Sequence, residues 1–338
     1  MTHCCTIIPP HLLTAIAERG TPRQRDLALR TLAVDQSVRQ VRAMRVAGAL
    51  PADDGRGPRR TIADAAHGEQ LPGRTVRPEG APPAGDPAAD EAYDGLGLTW
   101  AMYDEVFGRD SLDGKGLALV GTVHYSTNYD NAFWNGTQMV FGDGDGELFG
   151  RFTASVDVIG HELTHGVTEL EAALVYRGQP GALNESISDV FGSLVKQRAL
   201  GQSADRADWL IGAGLLLPGV HGKALRSMEA PGTAYDDPVL GKDPQPASMA
   251  GYVVTDADNG GVHLNSGIPN RAFYLASVAA GGNAWETTGR VWYAALTDPT
   301  LRPDADFAAF AAITVRLAGA LEPAIRTAWR TVGVTGGT

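Results

Sequence analysis

Two stretches of the chain set apolar against polar residues with helical period. In "VDVIGHELTHGVTEL" (156–170), Val156, Ile159, Leu163, Val167 and Leu170 recur at three- and four-residue spacing. At roughly 100° per residue they share about 80° of arc, which predicts a helix with one buried stripe. His161 and His165 fall on the other side, one turn and ~40° apart, with Glu162 on their flank. In "GALNESISDVFGSLV" (181–195), Leu183, Ile187, Val190, Phe191 and Leu194 form a second stripe, and Glu185 and Asp189 lie opposite it, one turn apart.

Elsewhere the pattern is coarser. Residues 11–47 read as helical, "AGALPADDGRGP" (47–58) and "RPEGAPPAGDPAAD" (77–90) as linkers. "GLALVGTVHYS" (116–126) predicts a strand, and "TQMVFGDGDGELF" (137–149) two short strands around a glycine–aspartate turn. Helical patterns follow at about 182–200, 266–280, 284–297 and 304–331, with Asp304–Ala320 and Pro323–Val332 as closing helices. No internal repeat is present. The outline is α+β: an N-terminal appendage, a β-rich lobe and a helical lobe.

Composition narrows the function classes. A chain of 338 residues with 43% hydrophobic and 20% charged residues suits a globular protein of two lobes. No apolar run is long enough to cross a bilayer, and a net charge of −11 argues against a general nucleic-acid partner. Residues 1–45 hold seven Arg against three acids, a net of +4, which leaves −15 for the remainder. A basic segment ahead of an acidic body suggests that the two touch; a solvated Arg-rich helix is the competing reading. Cys4 and Cys5 are the only cysteines, so there is no disulfide framework. The first twenty residues lack a basic leader, and Pro9-Pro10 interrupts any apolar core, so the expectation is cytoplasmic synthesis without a signal peptide, with release by a non-classical route as the alternative.

The spacing of His161, Glu162 and His165 is H-E-x-x-H on a helix, which suits two imidazole ligands to zinc and a general base; the alternative is a polar solvent face. Two acids on the 181–195 helix would ordinarily be solvated. Beside H-E-x-x-H, Glu185 reads as the third ligand and Asp189 as acceptor for the free N–H of His161. Two His and one Glu leave a fourth position to water, as in a catalytic site. Zinc acidifies that water and polarises a carbonyl, Glu162 moves the proton to a leaving amine, and the oxyanion needs donors.

From about residue 91 onward the motifs "DNAFWNGTQMVFGDGDG", "HELTHGVTEL", "GALNESISDVFG", "LRSM" and "DNGGVHLNSGIPNRAFYL" resemble the thermolysin family of zinc metallopeptidases. "IIPPHLL", "RTIADA" and "AYDGLGLTW" resemble its protealysin-like precursors, which carry a short pro-segment. The resemblance implies a two-lobe α+β fold with the zinc helix between lobes, divided as a pro-segment 1–50, a catalytic lobe 51–168 and a helical lobe 169–338. It implies a neutral endopeptidase cutting before bulky apolar residues, with one Zn2+ held by His161, His165 and Glu185 and supported by Asp189 and Asn184. Glu162 would be the base. His263, oriented by Asp258, and Tyr176 would donate to the oxyanion. Arg226 and Asn131 would hold substrate backbone, Ala132 and Trp134 would form the edge strand beside it, and Val158 and Leu225 would line the pocket after the cut.

The family's main Ca2+ site is expected to be lost: Asp157 and Asp208 remain, but Lys196, Leu210 and Ala213 replace its other acids. The stiff, donor-poor "IIPPHLL" is expected to fill the cleft as a poor substrate, with autocleavage between about Gly48 and Asp53. Cys4 or Cys5 as a thiolate on the metal, and both as plain thiols, stand as alternatives. The expected partners are peptides and the chain's own pro-segment, with no nucleic acid or membrane, and the chain is expected to be a monomer. Two other classes compete: a peptide-binding scaffold without turnover, and a zinc hydrolase of non-peptide amides.

Overall fold

The computed structural model describes residues 6–44 and 57–335, with side chains of the first stretch described through residue 38. Helices α1 (Pro10–Arg19) and α2 (Pro22–Met44) replace the single helical stretch read from the sequence. They break at Gly20–Thr21, where Thr21 and Gln24 exchange side-chain-to-backbone bonds, Thr21 N to Gln24 Oε1 at 2.9 Å and Gln24 N to Thr21 Oγ1 at 3.3 Å. That reciprocal pair is a capping box, which restarts the helix ahead of Pro22.

Next come strands β1 (Arg60–Asp64) and β2 (Arg74–Pro78), helix α3 (Pro87–Ala101), and strands β3 (Leu119–Val123), β4 (Ala132–Trp134) and β5 (Met139–Phe141). They form one sheet in the order β2-β1-β3-β5-β4. β1, β3 and β5 run parallel, while β2 and β4 pair antiparallel at the two edges. The supposed linker 77–90 therefore holds the end of β2 and the start of α3. Asp86 caps α3 by accepting from Ala88 N at 3.0 Å, and Pro87 follows at the first helical position. Only one of the two strands expected in 137–149 forms. Beyond β5 the chain turns, because Asp145 Oδ1 accepts the N–H groups of Glu147, Leu148 and Phe149.

Helix α4 (Val156–Glu171) crosses beneath the sheet and packs on α5 (Gly178–Leu200). The contact is close: a Cβ on Gly192 would lie 2.3 Å from the Asp157 carbonyl oxygen, so only glycine lets the two helices meet there. A two-residue pairing of β6 (Leu210–Ile211) with β7 (Arg226–Ser227) follows. The helical lobe is completed by α6 (Asp258–Asn265), α7 (Gly267–Ala280), α8 (Thr288–Leu296), α9 (Phe307–Leu317) and α10 (Glu322–Thr331). The two-lobe α+β plan is the one expected. Among the described residues no helix is long and apolar enough to cross a membrane.

Both helical stripes enter the core, with one exception: Leu170 is 53% exposed at the last turn of α4. The opposite face of α4 does not meet solvent. His161, Glu162 and His165 are all buried on a helix packed against α5 and β4.

Candidate active site

Helix α4 sets His161 Nε2 and His165 Nε2 3.1 Å apart. Glu185, on α5, brings one carboxylate oxygen to 3.6 Å from His161 Nε2 and the other to 3.5 Å from His165 Nε2. The remaining ring nitrogens are engaged. His161 Nδ1 donates to Asp189 Oδ1 at 2.8 Å, and His165 Nδ1 donates to Asn184 Oδ1 at 2.8 Å, with Ser188 Oγ at 3.1 Å. A neutral imidazole with its proton on Nδ1 presents a lone pair at Nε2. Two lone pairs and a carboxylate therefore converge, an arrangement that repels itself without a cation. Ligand atoms about 2.0–2.1 Å from a tetrahedral zinc lie roughly 3.3 Å from one another, which matches these separations. The donor set fits Zn2+.

The supporting network is wholly buried. Asp189 accepts from Arg226 Nη2 and Nε at 2.8 Å each and from Asn270 Nδ2 at 2.8 Å, besides His161. Burial opposes its charge, but Arg226 and His161 outweigh burial and hold its pKa below the usual carboxylate range. Burial likewise opposes the charge on Glu185, and the facing His263, His165 and His161 rings lower its pKa.

Glu162 sits between the histidines and the sheet edge, where Oε2 accepts from the Trp134 backbone N–H at 3.1 Å. Opposite, His263 is held through Nδ1 to Asp258 Oδ1 at 2.6 Å and through its own N–H to Asp258 Oδ2 at 2.9 Å. This clasp depends on Asn259, Gly260 and Gly261 all taking positive φ (51°, 86° and 75°), which two glycines allow cheaply. Tyr176 donates its hydroxyl to Glu185 Oε1, and His263 Nε2 lies 3.3 Å from that hydroxyl. The structure thus gathers His161, Glu162, His165, Tyr176, Glu185, Asp258 and His263 into one centre.

The residues expected to hold substrate meet the N-terminal segment. Thr6 bridges antiparallel to Phe133, and Ile7 N donates to Ala132 O at 3.2 Å. Arg226 Nη1 donates to Ile7 O at 3.2 Å. Ile8 N donates to Asn131 Oδ1 at 2.9 Å and Ile8 O accepts from Asn131 Nδ2 at 3.3 Å. An extended strand is added to the sheet edge, the way a peptide is held by β-augmentation. Ile7 and Ile8 are fully buried and share one apolar cluster with Val158, Leu225 and Trp134. Trp134 gives its N–H to Glu162 rather than to the strand. The basic segment does touch the acidic body, through an Arg23–Glu147 ion pair. Cys4, Cys5 and the 48–53 stretch lie outside the described residues.

Three contributors were not anticipated. Asn270 holds Asp189 from α7. Asp35 on α2 accepts from Tyr129 OH and, at 3.0 Å, from Asn131 Nδ2. His11, half-buried near His263, has its pKa lowered to about 4, first by desolvation and then by that neighbouring ring. None belongs to a local spacing pattern, so no sequence signal marked them.

Where the family's main Ca2+ site is expected to be lost, Lys196 Nζ lies 2.8 Å from Asp157 Oδ2 and 2.9 Å from Asp208 Oδ1, and it also donates to the Leu210 carbonyl. An ammonium thus stands among the oxygens.

Over residues 67–169 the chain matches the family described as thermolysin metallopeptidase, catalytic domain, and over 172–334 the thermolysin metallopeptidase, alpha-helical domain. It is 55% identical over 337 residues to an extracellular metalloprotease of Pectobacterium carotovorum subsp. carotovorum, covering 98% of this chain and 96% of the relative. It is 48% identical over 339 residues to Protease PrtS of a Photorhabdus species, covering 97% and 91%. Its structure superposes on the precursor of protealysin, a metalloproteinase from Serratia proteamaculans, with TM-score 0.91 and 56% identity, covering 98% of this chain and all of that one (100%).

Proposed function

The chain belongs to the thermolysin family of metallopeptidases and is a zinc-dependent neutral endopeptidase, and from that premise we propose a role for each group in the cleft. Zinc, held by His161, His165 and Glu185, supplies when bound a Lewis acid that acidifies a water and polarises the scissile carbonyl. Glu162 takes a proton on its carboxylate and passes it to the leaving amine. His263, clasped by Asp258, and Tyr176 aim their Nε2 and hydroxyl where oxyanion charge develops. Asn131, Ala132 and Arg226 align the substrate backbone, and Val158 and Leu225 receive the apolar side chain after the cut. Asp189 and Asn184 keep the two imidazoles in one tautomer. The observation that carries this reading is the convergence of two Nε2 lone pairs and a carboxylate beside a buried glutamate bonded to the sheet edge. It favours turnover over a silent peptide-binding scaffold, and the backbone-reading edge favours peptides over other amides. Casein hydrolysis by the processed protein, lost on chelation and restored by zinc, tests it; hydrolysis that survives removal of all metal would overturn it.

Residues 1–50 act as an intramolecular inhibitor removed by autocleavage between about Gly48 and Asp53. The bonds to Ile7 and Ile8 support this, because they occupy the groups assigned to substrate. Burying Ile7 contributes about 2 kcal/mol, so Ile7→Ala should loosen the segment roughly thirtyfold. The purified precursor should then hydrolyse a short peptide before it is processed; unchanged latency would count against the assignment.

Catalysis proceeds without the family's main Ca2+ site, since Lys196 supplies the positive charge there. Added Ca2+ should leave the melting temperature unmoved. Lys196→Ala should cost about 3–5 kcal/mol by removing the counter-charge of the buried Asp157 carboxylate, read from urea unfolding. The chain works as a monomer with one catalytic zinc. Relatives named extracellular support action outside the cell over action in the cytoplasm.

A further inference from the structure

A second group of potential ligands lies away from the catalytic centre. β1, β3 and β5 are adjacent and parallel, so their carboxyl ends emerge side by side. Each is followed within three residues by a side chain that can bind a metal: His67 after β1, His124 after β3 and Asp143 after β5. Loops at the carboxyl ends of neighbouring parallel strands are where open sheets place ligands, because the loops diverge there and leave a crevice.

The distances are compatible with coordination. His124 Nδ1 lies 2.9 Å from either oxygen of Asp143, and His67 Nδ1 lies 3.5 Å from Asp143 Oδ2. One donor atom from each of the three residues falls within 4.8 Å of the others. His124 Nε2 faces Asp86 Oδ2 at 2.8 Å. A histidine with one nitrogen toward a metal and the other on a carboxylate repeats the arrangement of His161 with Asp189. Asp86 has its second oxygen committed to the α3 cap, so its direction is set.

The backbone holds the group in place. His67 N donates to His124 O at 2.8 Å, Ala65 N to Val123 O at 3.0 Å, Tyr125 N to Phe141 O at 3.1 Å and Ser126 N to Gly68 O at 2.9 Å, which extends the pairing past the strand ends. His67 and His124 both sit at positive φ, 60° and 54°, uncommon for residues with a side chain. The nearby Arg151 guanidinium is paired with Glu91 at 2.7 Å, and the charges of Asp86 and Asp143 also act on it.

We propose that His67, His124 and Asp143 form a second metal site, oriented by Asp86, that takes a borderline divalent transition metal such as Zn2+. Two imidazoles and one carboxylate select that class over Ca2+ or Mg2+. His67 is 58% exposed at its side chain and closes onto the ion by rotating about its own bonds. The ion takes the place of the Nδ1 proton on His124, which leaves to water, while Nε2–H stays on Asp86. The bound metal ties the ends of three strands together and leaves the cleft untouched.

The full chain carrying Glu162→Ala, zinc-loaded and desalted, is dialysed against graded Zn2+ and its metal measured by elemental analysis. The expected result is a second zinc per chain, accompanied by a rise in melting temperature. His67→Ala should weaken that second zinc at least tenfold and remove the rise. Asp86→Asn keeps the cap oxygen but not the charge, and should weaken it by about ten- to a hundredfold. A single zinc per chain up to about 1 mM Zn2+ overturns the proposal, and so does a second zinc whose affinity neither substitution changes.

Discussion

Replacing Glu162 with alanine should lower kcat by about a thousandfold or more while zinc content stays at one per chain in the desalted protein. Positioned proton transfer is worth roughly 10²–10⁴ in rate, and three other carboxylates described in the cleft are committed elsewhere: Glu185 faces both Nε2 atoms, Asp189 is bound to Arg226 and His161, and Asp258 to His263. Glu162 approaches from the flank, bonded to Trp134 N, so its loss leaves the three donor atoms and their supporting bonds in place. The same substitution should keep the purified chain at its full 338 residues. Kinetics on a peptide, elemental analysis and a time course on a gel check the three parts. Processing that continues at the normal pace, with no other protease present, would falsify the assignment of Glu162 as the base for self-cleavage.

Asp189→Ala should be the most destabilising change in the centre. The carboxylate joins His161, Arg226 and Asn270 where none of them meets solvent. Removing one partner from a buried ion pair leaves an uncompensated charge and costs about 3–5 kcal/mol. The guanidinium strongly resists losing its charge: burial opposes that charge, but Asp189 outweighs burial and raises the Arg226 pKa. It would therefore stay charged and unpaired. Urea unfolding measures this part. Zinc affinity, by competition with a chelator, should fall about ten- to a hundredfold as His161 loses its orienting acceptor. Asp189→Asn separates the effects: an amide oxygen can still accept from His161, so zinc affinity recovers in part, while the charge on Arg226 stays unbalanced. An Asp189→Ala protein with wild-type stability would show that Arg226 is held by something else.

The helical centre was open to sequence reading because its information is local. A period of 3.6 residues places His161 beside His165 and Glu185 beside Asp189 whatever surrounds them, and each helix needs only its own stripe to declare its inner face. Locality also explains the errors. Leu170 keeps the period but lies at the last turn of α4, past the edge of what covers it. β1 and β2 went unread, and α3 was hidden behind a stretch rich in Pro and Gly, where a strand end and a helix cap resemble a linker.

Other features required the chain to return on itself. The antiparallel seat of Thr6–Ile8 on β4 joins residues more than 120 apart in sequence, Ile8 to Asn131 among them (a separation of 123). The bonds from Asn270 to Asp189 and from Asn131 to Asp35 are of the same kind. That the face of α4 bearing two histidines is buried rather than wet is also a tertiary result, since a polar face declares only that it is not greasy. The residues alone determined which side chains could bind a metal and move a proton. Only the packing of α4 on α5 at Gly192, and of the N-terminal strand on β4, decided that they meet, because hydrogen-bonded pairing and burial depend on partners that no short window of sequence contains.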